Sequence, residues 1–486
     1  MSDVQMSARS LEALLGDWRG GASAYLALSD RIRLLTLDGR IPVDSRLPAE
    51  RDLSARLGLS RTTVAAAYRR LRETGFLVSV RGSGSMARLP GGTPSLTVND
   101  GSGILDFSKA TMPAIPALAA AAVAAAADLP RHLNDSGFDP IGLPELRAAI
   151  ADRYTVRGLP TGPEQIMVTI GAQHAIALLA RVLLSRGDRA VIETPTYPHA
   201  YEALRAAGAR LMPVSVSAGE ADAAAATHGW DEAALVQTLQ RSNPVLGYLM
   251  PDFHNPTGQS MPVDQRERVL AAAARQGTVL IADETMAEFN IDRPGEFMPF
   301  AAYADPALPG TAVSIGSVGK SVWGGIRVGW IRAEPALIRK LVAARTANDL
   351  GTPILEQLIV TRLLPQMPAI LAERCDALRL TRDHLEERLA ARFPDWTVPH
   401  VDGGVTTWVN LGSPVSSQLA LSARTHGVIV PAGPRFGIDG AFERFMRIPF
   451  CYSVSELDRA VDALGHAWDA LGRHPVPDTG YLADVV

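Results

Sequence analysis

Five short apolar runs, each leading into a polar or helix-opening stretch, constrain the fold of this 486-residue chain more than any other feature. They are QIMVTIG (165–171), RAVIETPTY (189–197), VLGYLMP (245–251), TVLIAD (278–283) and TAVSIGS (311–317), with helically spaced segments between them. Short apolar runs alternating with helical patterns fit strands buried on both faces, so the expectation is an α/β fold with a mainly parallel sheet. In such sheets ligands collect at the carboxyl ends of strands. Polar residues cluster at several of those ends here.

Laid side by side, the ends read as one site. Gly171-Ala172-Gln173-His174 opens a helix and offers the amides of Ala172 and Gln173 to a phosphate. Tyr197 follows the second run, Asn255 in HNPTG the third, and Asp283 ends the fourth. Ser317, Lys320 and Arg327 follow the fifth. A phosphate cradle, an aromatic face, an amide, a carboxylate and an amine together fit pyridoxal 5′-phosphate. Lys320 would bond covalently to the cofactor aldehyde, which needs a neutral, partly desolvated amine. Asp283 would hold a proton on the ring nitrogen, Asn255 would donate to the ring oxygen, and Tyr197 would stack on the ring. Ser317, Arg327 and the two amides would hold the phosphate. Arg447, in FMRIPF, is placed to clamp an effector carboxylate.

Composition singles out the amine. Of 47 Lys plus Arg, only Lys109, Lys320 and Lys340 are lysines, so arginine supplies nearly all ordinary positive charge. GSVGKS around Lys320 imitates a nucleotide-binding P-loop, but the first glycine of that motif would fall on Ser314. An NTPase is therefore excluded on sequence.

A second unit precedes this body. Residues 26–85 carry eleven arginines against six acidic residues, while the whole chain has a net charge of −4, so a basic module sits on an acidic body. That asymmetry suggests an anionic partner for the module. Within Gly39 to Ser85, Pro48 is expected in a first helical turn, Leu53 and Leu57 on the inward face, and Gly58 at the helix stop. Ser60 is then an N-cap, and Val64, Tyr68 and Leu71 form the buried stripe of a second helix whose exposed face carries Arg61, Thr62 and Ala65. Phe76 to Val80 alternates into the tip Arg81, Gly82, Ser83 and Gly84, which predicts a wing. Helix starts bearing arginine and threonine suit base edges and phosphates. The segment resembles the GntR-type winged helix-turn-helix domain, by the pattern LP-x-ER-x-L, then SRTTV, then the glycine-containing wing. That resemblance implies DNA contacts by Arg51, Arg61, Thr62, Thr63, Arg81 and Gly82. Ala65 stands where some members carry a further arginine.

Residues 87–103, rich in Gly, Pro, Ser and Thr, read as a linker between a DNA-binding unit over 1–86 and a body over 104–486. The body is similar to fold-type I aminotransferases of the aspartate aminotransferase superfamily, by NPTG, the strand-ending aspartate and S-x-x-K followed by arginine. The resemblance implies a large domain with a mainly parallel sheet, a smaller α+β domain, and pyridoxal 5′-phosphate as cofactor. Thr285 and Met286 stand where relatives carry a tyrosine for the ring oxygen, Phe138 where many have a tyrosine for the phosphate, and Gly319 where serine is common. These departures bear on turnover more than on cofactor binding. The domain order resembles the MocR subfamily of regulators. It implies a homodimeric transcription factor that binds a double-stranded DNA operator and senses the cofactor or its adduct with a small amine or amino acid. An active aminotransferase with an accessory DNA-binding domain is the alternative.

Cys375 and Cys451 match no metal or redox spacing, which leads to the expectation of a reducing cytoplasm and no metal. The amino terminus lacks the basic start and apolar run of a signal peptide. The longest apolar run, Ala117 to Ala127, falls short of the roughly 20 residues a membrane span needs.

Overall fold

The computed structural model describes residues 6–16, 18, 23–37, 40–41, 45–80, 84–88, 103–217, 229–295, 297–307, 310–438 and 440–472. Its amino-terminal unit is a small helical cluster closed by a hairpin. Helices Ala8–Leu15 and Ala24–Leu37 pack with Glu50–Leu57 and Arg61–Glu73 around Leu28, Ile32, Leu35, Leu53, Val64, Tyr68 and Leu71. The third helix stops at Gly58, whose left-handed backbone (φ +63°) a side chain would strain. The fourth is capped by Ser60, whose hydroxyl accepts the Thr63 amide at 3.0 Å.

Pro48 departs from expectation. The third helix begins at Glu50, with Ala49 at its N-cap, so Pro48 lies before the first turn. Its carbonyl instead accepts the buried Tyr68 hydroxyl at 2.9 Å, tying the segment before one helix to the core face of the next. Leu77–Val80 and Gly84–Ala87 then pair antiparallel, Leu77 opposite Ala87, as the stem of the wing. Arg81 and Gly82 at its tip, and most of the 87–103 linker, lie outside the described residues.

The body is built on an eight-stranded sheet in the spatial order Ile166–Thr169, Gly329–Arg332, Ala312–Ser317, Val279–Asp283, Leu246–Leu249, Arg189–Thr194, Arg210–Ser217 and Gly229–Trp230. All five strands anticipated from the apolar runs are present. The four pairings from Ala312–Ser317 through Arg210–Ser217 are parallel. Gly329–Arg332 runs antiparallel to both of its neighbours. It escapes a reading based on apolar runs because only Trp330 and Ile331, between Gly329 and Arg332, are large and apolar. Arg210–Ser217 escapes because Pro213 interrupts an otherwise strand-like run. Apolar cores cover both faces of the sheet, one under helices Ala172–Leu183, Pro198–Ala206 and Pro335–Arg345, the other under Val263–Gln276, Glu232–Ser242 and Pro144–Val156.

A smaller α+β lobe completes the body. Thr406–Asn410 pairs antiparallel with Phe445–Pro449, and Val428–Ile429 pairs parallel with Leu105–Asp106, so the first strand after the linker joins this lobe rather than the large sheet. Helices Ser416–Thr425, Val454–Gly472 and the long Met367–Arg392 cover it. The apolar run at Ala117 forms the helix Ala117–Asp128, packed on Ile354–Leu363. No helix among the described residues is long and apolar enough to cross a membrane. The amino-terminal unit meets the smaller lobe where helix Ala24–Leu37 lies against Ser416–Thr425 and Arg31 pairs with Glu443 at 3.5 Å.

Removing the Ser60 cap tests the helix start. Ser60→Ala is expected to destabilise helix Arg61–Glu73 by about 1 kcal/mol. In hydrogen-exchange mass spectrometry its amides should then exchange about fivefold faster while the body is unaffected.

Candidate functional site

The parallel register delivers the predicted residues to one place. Ala172, Gln173, Tyr197, Asn255, Asp283, Ser317, Lys320 and Arg327 all line a single cavity of about 210 Å³ at the carboxyl ends of the strands. One end of it is built for an anion. Helix Ala172–Leu183 starts after Gly171 (φ +78°) with no side-chain cap, leaving its first amides facing outward. A Cβ on Gly171 would come within 2.6 Å of the Arg327 guanidinium, so only glycine admits that arginine. Arg327 itself adopts a positive φ of 50° and donates to the Ile170 carbonyl at 3.0 Å and the Gly324 carbonyl at 3.3 Å. Ser317 completes this end, its hydroxyl bonded to the Val328 carbonyl at 3.1 Å while it accepts the Gly319 amide at 3.0 Å.

At the centre lie the carboxylate, the amide and the amine. Asp283 is buried and accepts three hydrogen bonds: Tyr248 at 2.6 Å on one oxygen, and the Thr285 amide and hydroxyl at 3.0 and 2.7 Å on the other. Asn255 is 8 % exposed, and its side-chain oxygen is without a partner among the described residues. Its neighbour His254 is held through Nδ1 by the Thr257 hydroxyl at 2.9 Å, with Nε2 3.3 Å from Glu193, whose carboxylate accepts the Trp230 indole at 2.6 Å and the Met250 amide. Lys320 donates to the Ala110 carbonyl at 3.2 Å. Burial pulls its amine down to about 8; Arg447 adds to the shift, and Cys451 and Asp283 oppose it. Tyr197, at the start of helix Pro198–Ala206, has its hydroxyl pushed up to about 12 by burial and by the Asp283 charge.

These groups fit pyridoxal 5′-phosphate. The cradle at Gly171, the Asn255 side-chain amide in the cavity wall, the buried carboxylate and the lowered amine match its phosphate, ring oxygen, ring nitrogen and aldehyde in chemistry.

Arg447 is not in the cavity wall. It sits on Phe445–Pro449 opposite Trp408, buried, donating to the Ser108 carbonyl at 2.6 Å with its guanidinium carbon 5.0 Å from the centre of the Phe436 ring. Burial lowers it to about 10, and its charge reaches both Lys320 and Tyr197. His174 is a helix residue whose Nδ1 accepts the Ile170 amide at 3.1 Å and whose Nε2 lies 3.1 Å from Asp349 without a hydrogen bond among the described residues. Phe138 is 65 % exposed. Sequence reasoning misses Tyr248. Its signal is a tyrosine inside an aliphatic buried strand, where a phenol needs a partner.

On the amino-terminal unit, Arg51 and Arg61 stand near the starts of the two successive helices. The Arg51 side chain is 83 % exposed, 3.6 Å from Asp52. Arg61 and Thr62 are exposed and Thr63 half-buried. Both threonine hydroxyls lie 2.7 Å from the Ser60 hydroxyl, within the cap.

Known proteins agree with both halves. Residues 99–464 match the family described as aminotransferase class I and II, a pyridoxal-phosphate-dependent family, and residues 24–86 match bacterial regulatory proteins, gntR family. The chain is 26 % identical over 477 residues to the uncharacterized HTH-type transcriptional regulator YdcR of Escherichia coli K12, covering 91 % of this chain and 98 % of that one. It is 30 % identical over 338 residues to the probable rhizopine catabolism regulatory protein MocR of Rhizobium meliloti, covering 64 % and 65 %. The crystal structure of LysN, an α-aminoadipate aminotransferase from Thermus thermophilus complexed with N-(5′-phosphopyridoxyl)-L-leucine, matches with a TM-score of 0.68. Its identity is 28 %, over 76 % of this chain and 94 % of that one. The chain belongs to the class I and II aminotransferase family, in the form that carries a GntR-type DNA-binding domain ahead of the aminotransferase fold, the architecture of the MocR-type regulators.

Proposed function

We propose that this chain is a DNA-binding transcriptional regulator whose aminotransferase fold holds pyridoxal 5′-phosphate at Lys320 and senses a small amine or amino acid there. The observation that carries the reading is the meeting of eight residues from five strand ends in one cavity, in a chain that also presents Arg51 and Arg61 on a helix-turn-helix. When bound, the cofactor supplies an aldehyde that primary amines capture reversibly and a ring that withdraws electrons.

The chain's own residues do the rest. Arg327, Ser317 and the amides of Ala172 and Gln173 hold the phosphate through charge and free helix-start donors. Asp283 keeps a proton at the ring nitrogen, Asn255 donates to the ring oxygen, and Tyr197 covers the ring face. Lys320, whose amine burial draws down to about 8 so that a fraction is neutral at physiological pH, serves as the covalent anchor and as the group an incoming amine displaces. Arg447 supplies a buried cation for an effector carboxylate. A homodimer would set two recognition helices on two half-sites, and differing affinity of effector for two arrangements of the chain would supply the coupling.

Thr285 and Met286, in place of a ring-oxygen tyrosine, favour sensing over turnover. Mixed with amino donors and 2-oxo acids, the protein is expected to change its cofactor spectrum once per site. Sustained multiple turnovers at enzymatic rates would establish a working aminotransferase instead.

Lys320→Ala should abolish the absorbance band of lysine-bound cofactor, and a persisting band would mean another anchor. Because burial lowers the Lys320 amine to about 8, the rate of cofactor capture should rise about tenfold per pH unit below pH 8 and level off above it, as followed by stopped-flow absorbance. Arg61→Ala should weaken operator binding by about ten- to a hundredfold in a mobility-shift assay and leave the cofactor spectrum unchanged. Unaltered DNA affinity would refute the recognition-helix assignment.

A further inference from the structure

We infer that Tyr248 and Thr285 are positioning residues for Asp283, jointly fixing its carboxylate so that the edge left free is the one that meets the cofactor's ring nitrogen. This rests on the cofactor reading above and adds the means by which the carboxylate is aimed.

The contact is set by the sheet. Leu246–Leu249 and Val279–Asp283 are neighbouring parallel strands with Tyr248 beside Ile281. Residues two apart on a strand share a face, so Asp283 lies on the side of Ile281. The Tyr248 ring is wholly buried, and its hydroxyl reaches Asp283 at 2.6 Å. From the other side, Thr285 donates twice to the second oxygen, through its amide at 3.0 Å and its hydroxyl at 2.7 Å. With donors on both oxygens, rotation of the carboxylate about its last bond would break all three bonds.

Donor direction is fixed as well. A backbone amide can only donate. Burial and the Asp283 charge hold the Tyr248 proton on its oxygen far above neutral pH, so the phenol donates and the carboxylate accepts. An ionised carboxylate offers about four lone-pair sites. Three are occupied from within the chain, while Asp283 and Thr285 both remain in the cavity wall. Thr285 stands where a ring-oxygen tyrosine is expected, and its hydroxyl serves the aspartate.

The test uses the full-length protein loaded with cofactor carrying 15N in the ring. Ring-nitrogen NMR reports the proton at that atom, and absorbance titration reports affinity. Tyr248→Phe is expected to bind the cofactor about tenfold more weakly, since a hydrogen bond to a charged group is lost. Its ring-nitrogen resonance should move toward the unprotonated position. Thr285→Val should move it the same way, and Thr285→Ser, which keeps the hydroxyl, should restore the wild-type position. An unmoved resonance in Tyr248→Phe and Thr285→Val, even with weaker affinity or lower thermal stability, would reduce both residues to packing and overturn the inference. If Tyr248→Phe does not fold, the Thr285 pair decides alone. Failure of the wild type to bind the cofactor would overturn both readings, whereas normal binding with an unmoved resonance overturns only this one.

Discussion

The parallel pairing of Leu246–Leu249, Val279–Asp283 and Ala312–Ser317 is the constraint on which the rest of this structure depends. Parallel strands all end on the same edge, so residues far apart in the chain are delivered to one rim. Asn255 follows the first strand, Asp283 closes the second and Lys320 follows the third. Gly329–Arg332 runs back through the same sheet and brings Arg327, just before it, to the rim beside Gly171. The glycine is required there because the guanidinium occupies the space a side chain would fill.

Burying so many ionisable groups at one edge makes their states interdependent. Lys320 and Arg447 are both lowered, chiefly because burial disfavours the cation, and each lies in the field of other buried groups. Asp283 accepts hydrogen bonds from three converging donors. The result is an amine lowered to about 8 in the same cavity as a carboxylate fixed by three donors. Arg447, in the smaller lobe, acts on this centre through charge while its own donor is held by Ser108. Because Ser108 follows the strand Leu105–Asp106, the start of the body, this arginine ties the cavity to the segment that leads back toward the amino-terminal unit.

The amino-terminal unit obeys a different logic. Its core is small and local, its helix Arg61–Glu73 is capped by Ser60, and Arg51 and Arg61 face outward. It touches the body through helix Ala24–Leu37, where Arg31 meets Glu443. Glu443 also accepts the Ser417 amide at 3.0 Å and the Ser417 hydroxyl at 2.8 Å, so the contact lands on the start of helix Ser416–Thr425.

Much of this is legible in the sequence because it is written in local patterns. Apolar runs locate five strands, the Ser60 and Gly58 signals mark helix ends, and the order of Asn255, Asp283, Lys320 and Arg327 identifies the residues that share a site. What the sequence does not supply depends on the distance between chain-remote atoms. It leaves Pro48 inside a helix, where the structure sets it beneath Tyr68. It passes over the short strand Gly329–Arg332 and the proline-bearing Arg210–Ser217, whose places are set by neighbours rather than by their own pattern. It names Arg447 without its seat behind the cavity wall, and it reads Thr285 only as a missing phenol. The sequence by itself determined which chemical groups this protein carries and the order of its elements, because periodicity and turn chemistry act over a few residues. Only the tertiary structure decided that Tyr248 meets the oxygen of Asp283 that the local Thr285 turn leaves open, because strand register, which no short stretch of chain encodes, sets which remote side chains meet.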